Sequence, residues 1–237
     1  MRDDIRPLLP TITRHADESL PRECCGYVVE TAAGVAYHPC RNIATAKEEA
    51  VPHPDDKADA EDSGTLVAFV HSHVRSGAAP SVPDRLGVER TGLPWLIVTA
   101  SGAVTWNEPC GYQAPLEGRD YLYGVCDCAT LARDALEMWY GQVFEVPDVP
   151  HGWWNRGEDH FREDLIRQGF VQIERRDVRP GDVLLFQLAA EVPNHIAVMA
   201  PDGRLLHHMI DHLSGKTLYG HYWRQRVHSV WRHPACV

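Results

Sequence analysis

The sequence predicts an α+β protein, a mixed α/β chain with two domains, and three observations support this prediction. Apolar runs rich in β-branched residues alternate with segments of helical periodicity along the chain. Residues 109–118 hold two prolines and two glycines without periodicity and interrupt the pattern near the middle. The length of 237 residues suits two domains of about 100–130 residues each. We therefore expect domains over 1–110 and 119–237, joined by a linker over 111–118.

The first domain is expected to contain a β-hairpin and a long buried strand. Two apolar runs flank a turn at Gly34 and indicate the hairpin. The run that ends at His73 is the strongest strand signal, because it is apolar and β-branched and follows Ser-Gly. The other elements predicted here are a helix over 5–20 broken by Pro7 and Pro10, a loop or short helix over 46–63, helical turns over 85–92, and strands over 93–100 and 103–108.

The second domain begins with an amphipathic helix. Apolar residues recur every three or four positions over 127–141, and Asp127 is a suitable N-cap. The dipeptide Asp202-Gly203 is a strong hairpin signal between two strands. The remaining elements predicted here are a helix over 160–170 closed by Gly169 and strands over 178–187, 194–201 and 203–210.

Composition and charge exclude several classes of function. The apolar fraction of 44% is typical of a globular protein. The formal net charge is −10 and both halves are acidic, so the sequence disfavours binding to nucleic acid. No apolar window of about 18 residues indicates a membrane span, and no secretion signal is visible. Seven cysteines cannot all pair, which favours synthesis in a reducing cytoplasm.

The first group of chemically reactive residues indicates a metal site. His71 and His73 are two apart on the long strand, so their side chains share one face. Asp84 follows after a loop long enough to return to them. Two imidazoles and a carboxylate, with a fourth position for water, form the ligand set of a catalytic zinc site. Ser81 is a candidate oxyanion donor, and Glu23 is the candidate base.

This spacing resembles the motif of the JAMM/MPN+ metallopeptidases. The family has an upstream Glu, then His-x-His, seven residues and Ser-x-x-Asp, and residues 23 and 71–84 match every position. The resemblance implies a JAB1/MPN-type mixed sheet with flanking helices over about residues 1–110. It also implies one Zn²⁺ bound by His71, His73 and Asp84. Glu23 is then the general acid/base and Ser81 assists the tetrahedral intermediate. The alternative is a pair of surface histidines beside a Pro-rich loop.

The second group contains a thiol and two histidines. Cys128 follows Asp127 at the start of the predicted helix, where the helix N-terminus lowers a thiol pKa. Two later strands carry His195 and His207, and the turn between them is expected to place the two rings side by side. The three residues then form a nucleophile, a base and an orienting group. The alternative is that Cys128 is a buried core cysteine.

The same region resembles the NlpC/P60 cysteine peptidases, which have a papain-like fold. The family motifs appear in order as Tyr-Gly at 123–124, Asp-Cys at 127–128, Pro-Gly-Asp at 180–182, then His195 and His207. The resemblance covers about residues 115–237. It implies that Cys128 is the nucleophile, His195 the general base and then acid, and His207 the orienting residue. Two residues depart from the family, because Ala129-Thr130 replaces the usual Ser-Gly.

Several neighbouring side chains leave alternatives open. Tyr121 and Tyr123 are both candidates to assist the oxyanion, and the sequence does not choose between them. Cys126 is the weaker nucleophile candidate, since it precedes the helix. His208 is expected on the opposite strand face from His207, either towards solvent or in a structural position. Trp153 and its neighbour are expected to be packing residues more often than a substrate wall.

The pairing of the two domains is more specific than either motif. Its order and length resemble the tail assembly (tail tip) proteins of lambda-like siphophages and related prophages. The resemblance implies peptidoglycan peptides as the substrate of the cysteine peptidase domain, and other tail tip proteins as partners. It also implies synthesis in the host cytoplasm and a final location at the virion tail tip. Three alternatives remain, namely a structural tail component with idle sites, a cellular wall hydrolase and a small-molecule amidase.

Overall fold

The chain folds into two compact units in a computed structural model that describes residues 1–44 and 46–236. Unit 1 spans Met1–Gln113 and unit 2 spans Ala114–Val237. Each unit contains one β-sheet with helices packed on it, so the predicted α+β class is confirmed. Within the described residues, no helix has both the length and the apolar character needed to cross a bilayer.

Unit 1 is a five-stranded mixed sheet with helices on both faces. The strand order is β2-β1-β3-β4-β5, and only β3 and β4 run parallel. Its elements, in chain order, are α1 (Leu9–Ser19), β1 (Cys25–Thr31), β2 (Gly34–Cys40), α2 (Pro54–Ser63), β3 (Thr65–Ser72), α3 (Val82–Thr91), β4 (Trp95–Val98) and β5 (Val104–Asn107).

The alternation of side chains along β1 divides the core of unit 1 into two layers. Val28 points to one face and packs in a cluster with Ile12 of α1. Val29 points to the other face and packs in a cluster with Ala60 of α2 and Val88 of α3. This period of two is the geometry of a strand covered on both faces.

The predicted elements of unit 1 are found, with two refinements. The hairpin pairs Thr31 with Gly34, as the turn signal indicated. The proline-interrupted N-terminal segment is two helices, because a 3-10 helix over Asp3–Leu8 precedes α1. The acidic segment over 46–63 contains α2, whose N-cap is the side chain of His53.

Unit 2 is a six-stranded antiparallel sheet with its longest helix packed on one face. The strand order is β10-β9-β8-β7-β11-β6. Its elements, in chain order, are α4 (Cys128–Tyr140), α5 (His160–Arg167), β6 (Val171–Ile173), β7 (Val183–Phe186), β8 (His195–Met199), β9 (Arg204–His207), β10 (Gly215–Leu218), α6 (His221–Arg226) and β11 (Val227–Arg232). The sequence did not predict β6, β10, α6 or β11.

The Pro-Gly-Asp segment before β7 has a structural role. Gly181 has a φ of +88°, and a Cβ there would lie 2.7 Å from Oη of Tyr140. Asp182 is buried, and its carboxylate accepts hydrogen bonds from Arg232 at 2.7 and 2.8 Å. It also accepts one from the backbone N–H of Arg179 at 2.6 Å. The motif therefore anchors the last strand, β11, beside the start of β7.

Candidate active sites

The structure brings the three predicted metal ligands together at the end of β3. Nε2 of His71 lies 3.3 Å from Nε2 of His73. Each nitrogen also lies 3.1 Å from one carboxylate oxygen of Asp84. His71 and Asp84 are buried, and His73 is half-buried. The three side chains form the group of residues best arranged to hold a metal ion within the described part of the chain.

Local structure at the start of α3 fixes the position of Asp84. Ser81 is the N-cap, and its Oγ accepts a hydrogen bond from the backbone N–H of Asp84 at 3.2 Å. The Ser81 hydroxyl and backbone N–H both donate to Oδ2 of Asp84 at 2.7 Å. This reciprocal capping box holds the carboxylate at the helix N-terminus. In this structure the Ser81 hydroxyl therefore orients a candidate ligand.

The geometry fits a tetrahedral cation. Two ligands at about 2.0–2.1 Å from one zinc ion stand about 3.3 Å apart at the tetrahedral angle. The observed separations between His71, His73 and Asp84 are 3.1–3.3 Å. Nδ1 of His73 lies 2.9 Å from the carbonyl oxygen of Gly77, so Nδ1 carries the proton and Nε2 presents a lone pair. That lone pair faces the Asp84 carboxylate, so two electron-rich groups repel each other. A cation bound between them would turn this repulsion into attraction.

Glu23 lies beside this group. It precedes β1, and the backbone N–H of Cys24 donates to Oγ of Ser72 at 2.8 Å, so Glu23 is placed next to His73. Its side chain is buried, with 6% of its surface exposed. Burial raises the pKa of Glu23 to about 8, although the charge of His73 opposes the rise and that of Asp84 adds to it. A carboxyl that titrates near neutrality has the property required of a general acid/base.

In unit 2, Cys128 occupies the first turn of α4, as the sequence predicted. Asp127 is the N-cap and accepts from the backbone N–H groups of Ala129 and Thr130 at 3.0 and 2.9 Å. It also accepts from the N–H of Gly124 at 2.7 Å, which ties the Tyr-Gly segment to the helix. Thr130 completes the capping box through a 2.8 Å hydrogen bond from the N–H of Asp127. Thr130, which stands where the family usually has Gly, thus contributes its hydroxyl to the helix cap.

The two predicted histidines contact each other. Nε2 of His195 lies 3.2 Å from Nδ1 of His207, with one residue on β8 and the other on the adjacent β9. His195 is buried, and His207 is half-buried. Both rings contact Trp223 of α6, with centroid distances of 6.0 and 4.7 Å. Trp223 could not be predicted from the sequence, because no local pattern indicated α6.

The Cys128 thiol at the start of α4 packs against β8 at the position next to His195. The Cys128 thiol packs in the core cluster with Ile196, whose backbone N–H lowers the thiol pKa. Ile196 directly follows His195. The hydrogen bonds of the described residues join His195 to His207, and they include none between the Cys128 thiol and the His195 ring.

Burial controls the ionisation of this second site. It raises the pKa of Cys128 to about 12, and the charge of Asp127 adds to the rise. It lowers the pKa of His195 to about 3 and that of His207 to about 4, with neighbouring histidines contributing. The backbone N–H groups of Cys128 and Ala129 at the helix N-terminus lower the thiol pKa, in the expected direction, but desolvation is the larger effect and the net pKa is raised. At neutral pH the site holds a neutral thiol and neutral imidazoles.

The remaining candidates near Cys128 have structural contacts. The Tyr123 hydroxyl donates to the carbonyl oxygen of Val149 at 3.0 Å. Tyr121 contacts the ring of His208 edge-on, at a centroid distance of 5.1 Å. His208 is buried rather than exposed to solvent, and Trp153 is also buried. Tyr121 and Tyr123 both stay candidates for the oxyanion role.

Comparisons with known protein families support both resemblances. Residues 6–109 match the model for prokaryotic homologs of the JAB domain. Residues 118–232 match the model for the NlpC/P60 family. The chain is therefore a protein of the class that joins a JAB-like domain to an NlpC/P60 domain in that order.

Two curated relatives specify the family further. The chain is 34% identical over 229 residues to tail tip assembly protein K of Escherichia phage N15, an alignment that covers 95% of this chain and 93% of that protein. It is 38% identical over 186 residues to tail tip assembly protein K of Escherichia phage lambda, covering 77% and 89%. The chain belongs to the tail tip assembly protein K family, as the order of its motifs predicted.

Similarity to solved structures is weaker. A solution structure of a protein from Desulfitobacterium hafniense matches 44% of this chain and 88% of its own length, with 20% identity and a TM-score of 0.35.

Proposed function

We propose that the chain is a bifunctional peptidase of a phage tail tip. In this proposal, unit 2 hydrolyses stem or cross-bridge peptides of peptidoglycan during infection, and unit 1 is a zinc-dependent (iso)peptidase. The observation that carries the proposal is the placement of Cys128 at the start of α4 beside β8, whose His195 contacts His207 of the adjacent β9. Chains that match over nearly their whole length and are named tail tip assembly proteins support the location and tail protein partners.

The thiol reaction begins from neutral groups. His195 removes the proton from the Cys128 thiol as sulfur attacks the amide carbonyl, and the same imidazolium then protonates the leaving amine. His207 contacts Nε2 of His195 through its own Nδ1 and so orients the His195 ring. Water then attacks the acyl-enzyme, with His195 again acting as base. Because the thiol is buried, substrate must reach it as the surrounding side chains separate.

In unit 1, the proposed roles follow from the arrangement of the ligand set. His71, His73 and Asp84 would hold the ion, which when bound supplies Lewis-acid polarisation of a carbonyl and acidifies water. Glu23 holds and moves a proton beside them, a role that its raised pKa supports. Ser81 keeps the Asp84 carboxylate oriented through its 2.7 Å hydrogen bond. The substrate class proposed here is a peptide or isopeptide amide.

A second candidate function is that of a structural assembly component with one or both sites idle. The raised pKa of Cys128 favours this alternative, as does the finding that the hydrogen bonds of the described residues include none between its thiol and His195. The curated relatives are also named as assembly proteins. The ordered pair of His195 and His207 favours the catalytic proposal instead.

Digestion of purified sacculi tests the two candidates directly. The wild-type chain is compared with Cys128→Ala, His71→Ala and the matched control Cys126→Ala, and released fragments are identified by mass spectrometry. We expect fragments from the wild type, from His71→Ala and from Cys126→Ala, and none from Cys128→Ala. The mass of each fragment then identifies the cleaved bond.

The other outcomes have defined meanings. Loss of release only in His71→Ala would assign wall hydrolysis to unit 1. Loss only in Cys126→Ala would move the nucleophile to the other thiol. If the wild type releases nothing, either free or assembled into tails, the structural alternative replaces the catalytic proposal.

A further inference from the structure

A cationic groove lies in unit 2, away from the thiol site. It has a volume of about 730 Å³, and four arginines line it, namely Arg175, Arg176, Arg179 and Arg224. Met199, at the last position of β8, forms part of its wall. His195 is the first residue of the same strand, so four residues, or about 13 Å, separate the two positions. The Met199 end of the groove is therefore remote from the histidine pair, whereas Arg224 at its other side directly follows Trp223, which contacts both rings.

The four guanidiniums are unusual in a chain with a net charge of −10. None of them forms an ion pair with a carboxylate of the described residues. The contrast is local, because in the same unit Arg119, Arg133, Arg156, Arg162, Arg167, Arg204 and Arg232 all have carboxylate partners. The nearby carboxylate of Asp202 pairs with Arg204 and Lys216. The groove therefore concentrates positive charge that the chain does not neutralise.

Two of these guanidiniums are held in place by backbone carbonyls. Arg175 donates to the carbonyl oxygen of His228 at 3.0 Å. Arg224 donates to that of Tyr219 at 3.1 Å, and its guanidinium lies 5.3 Å from the centroid of the Tyr219 ring. Each group uses one N–H in this contact and keeps others for a ligand. Such positioning lowers the entropy cost of binding an anion.

Apolar groups complete the groove and select the kind of anion. Its lining includes Val178, Pro180, Met199 and Leu218, and Leu218 is 74% exposed. A phosphate polymer would leave these surfaces in contact with water. A polypeptide that carries both carboxylates and aliphatic side chains would pair the guanidiniums and cover the apolar wall.

We propose that this groove binds an acidic polypeptide segment with interspersed aliphatic residues, supplied by another protein of the tail tip. The choice of a tail protein as the source rests on the tail tip location in the proposed function. Binding can be tested separately from hydrolysis at Arg176 and Arg179, because they line the groove together with Met199, at the end of β8 opposite His195.

A synthetic peptide tests this inference with the full-length chain. The probe is a fluorescein-labelled octapeptide of alternating Glu and Leu, and its binding is measured by fluorescence anisotropy. The variant is Arg176→Gln/Arg179→Gln, because neither guanidinium forms a hydrogen bond or ion pair with another described residue. The matched control is Arg156→Gln/Arg162→Gln, which removes the same charge elsewhere on unit 2. An octapeptide of alternating Lys and Leu tests whether binding needs negative charge. A Glu homopolymer of equal length tests whether it needs the aliphatic side chains.

We expect the Glu-Leu peptide to bind the wild type and the control pair equally. Its Kd should rise about tenfold in Arg176→Gln/Arg179→Gln, since two exposed charge pairs are lost. Equal binding to both double variants, or no binding to the wild type, would overturn the proposal. If sodium polyphosphate or the Glu homopolymer binds as tightly as the Glu-Leu peptide, the groove is a general polyanion site and the peptide assignment is wrong.

The sacculus assay separates this inference from the proposed function. Arg176→Gln/Arg179→Gln should release wall fragments at the wild-type rate, whereas Cys128→Ala should bind the Glu-Leu peptide normally. Each proposal can therefore fail while the other stands.

Discussion

Gly87 and Trp95 approach so closely that a Cβ on Gly87 would overlap the Trp95 ring. The ring in turn contacts the His71 imidazole edge-on, at a centroid distance of 5.4 Å. Gly87 lies on α3, one turn after Asp84, and Trp95 lies on β4. The helix and β4 therefore approach the candidate metal site from two sides. The close approach of this glycine therefore sets the spacing between Asp84 and His71.

Substitution of that glycine should disturb the site without removing a ligand. Gly87→Ala inserts a methyl group against the ring and is expected to destabilise unit 1 by about 1–3 kcal/mol. It should also weaken zinc binding, because α3 must shift. Trp95→Phe in the same chain should recover part of both losses by removing the larger ring. Calorimetry and zinc titration measure the two effects, and normal zinc affinity in Gly87→Ala would show that the spacing is not critical.

Zinc binding itself gives a prediction that is independent of activity. The apo chain should take up one zinc ion per molecule, and zinc at 100 times its Kd should stabilise unit 1 by about 2.7 kcal/mol. His73→Ala should abolish both effects, because it removes one of three converging ligands. His38→Ala, on β2, is the control and should behave as wild type. Equal zinc content in the two variants, measured by elemental mass spectrometry, would contradict the assigned ligand set.

The histidine pair of unit 2 should make stability depend on pH. Burial lowers the pKa of His195 to about 3 and that of His207 to about 4, whereas an unfolded histidine titrates near 6.5. The unfolded chain therefore binds more protons between these values, so stability is complete above pH 6.5 and falls as the pH falls towards 4. At pH 5 each ring should lower the free energy of unfolding by about 2 kcal/mol relative to its value above pH 6.5.

Replacing one ring tests that linkage. His207→Gln should unfold with a smaller difference between pH 7.5 and pH 5.0 than the wild type, as measured by calorimetry. His221→Gln, at an exposed position of α6, is the matched control and should retain the full difference. An unchanged pH dependence in His207→Gln would mean that this ring is not neutral in the folded state.

The exposed thiol provides a chemical test of the burial of Cys128. Cys110 is exposed, whereas the other free cysteines are buried. Burial holds the pKa of Cys128 near 12, so its thiolate fraction at pH 7 is small. We expect one fast-reacting thiol per folded chain with an aromatic disulfide reagent, and Cys110→Ser should remove it. Loss of a fast phase in Cys128→Ala would instead show a reactive, accessible nucleophile.

Residues whose placement depends on local rules could be predicted from the sequence. His71 and His73 share a face because a strand has a period of two, and Asp84 turns back because Ser81 caps α3. Asp127 caps α4 for the same local reason. The shared face of His71 and His73 and the position of Cys128 in its helix therefore followed from short-range pattern, whereas Asp84 was predicted from the family spacing and its capping role was found in the structure.

Features that depend on distant contacts could not be predicted. β11 contains His228 and Ser229 and lacks a continuous apolar run, and it becomes a central strand only by pairing with β7 and β6. The pKa of Cys128 also follows from tertiary burial, which outweighs the effect of the helix N-terminus. Sequence spacing carries no information about how deeply a side chain is covered.

The ion pair between Asp182 and Arg232 should contribute strongly to the stability of unit 2. Asp182 is 1% exposed, and it joins the start of β7 to the end of β11, which are far apart in sequence. Asp182→Ala should cost about 3–5 kcal/mol, because it leaves the partly buried Arg232 guanidinium without its partner. Arg204→Ala breaks an exposed pair and should cost less than about 1 kcal/mol. Urea unfolding of unit 2 measures both losses. Similar small losses in the two variants would show that the Pro-Gly-Asp motif does not anchor the last strand.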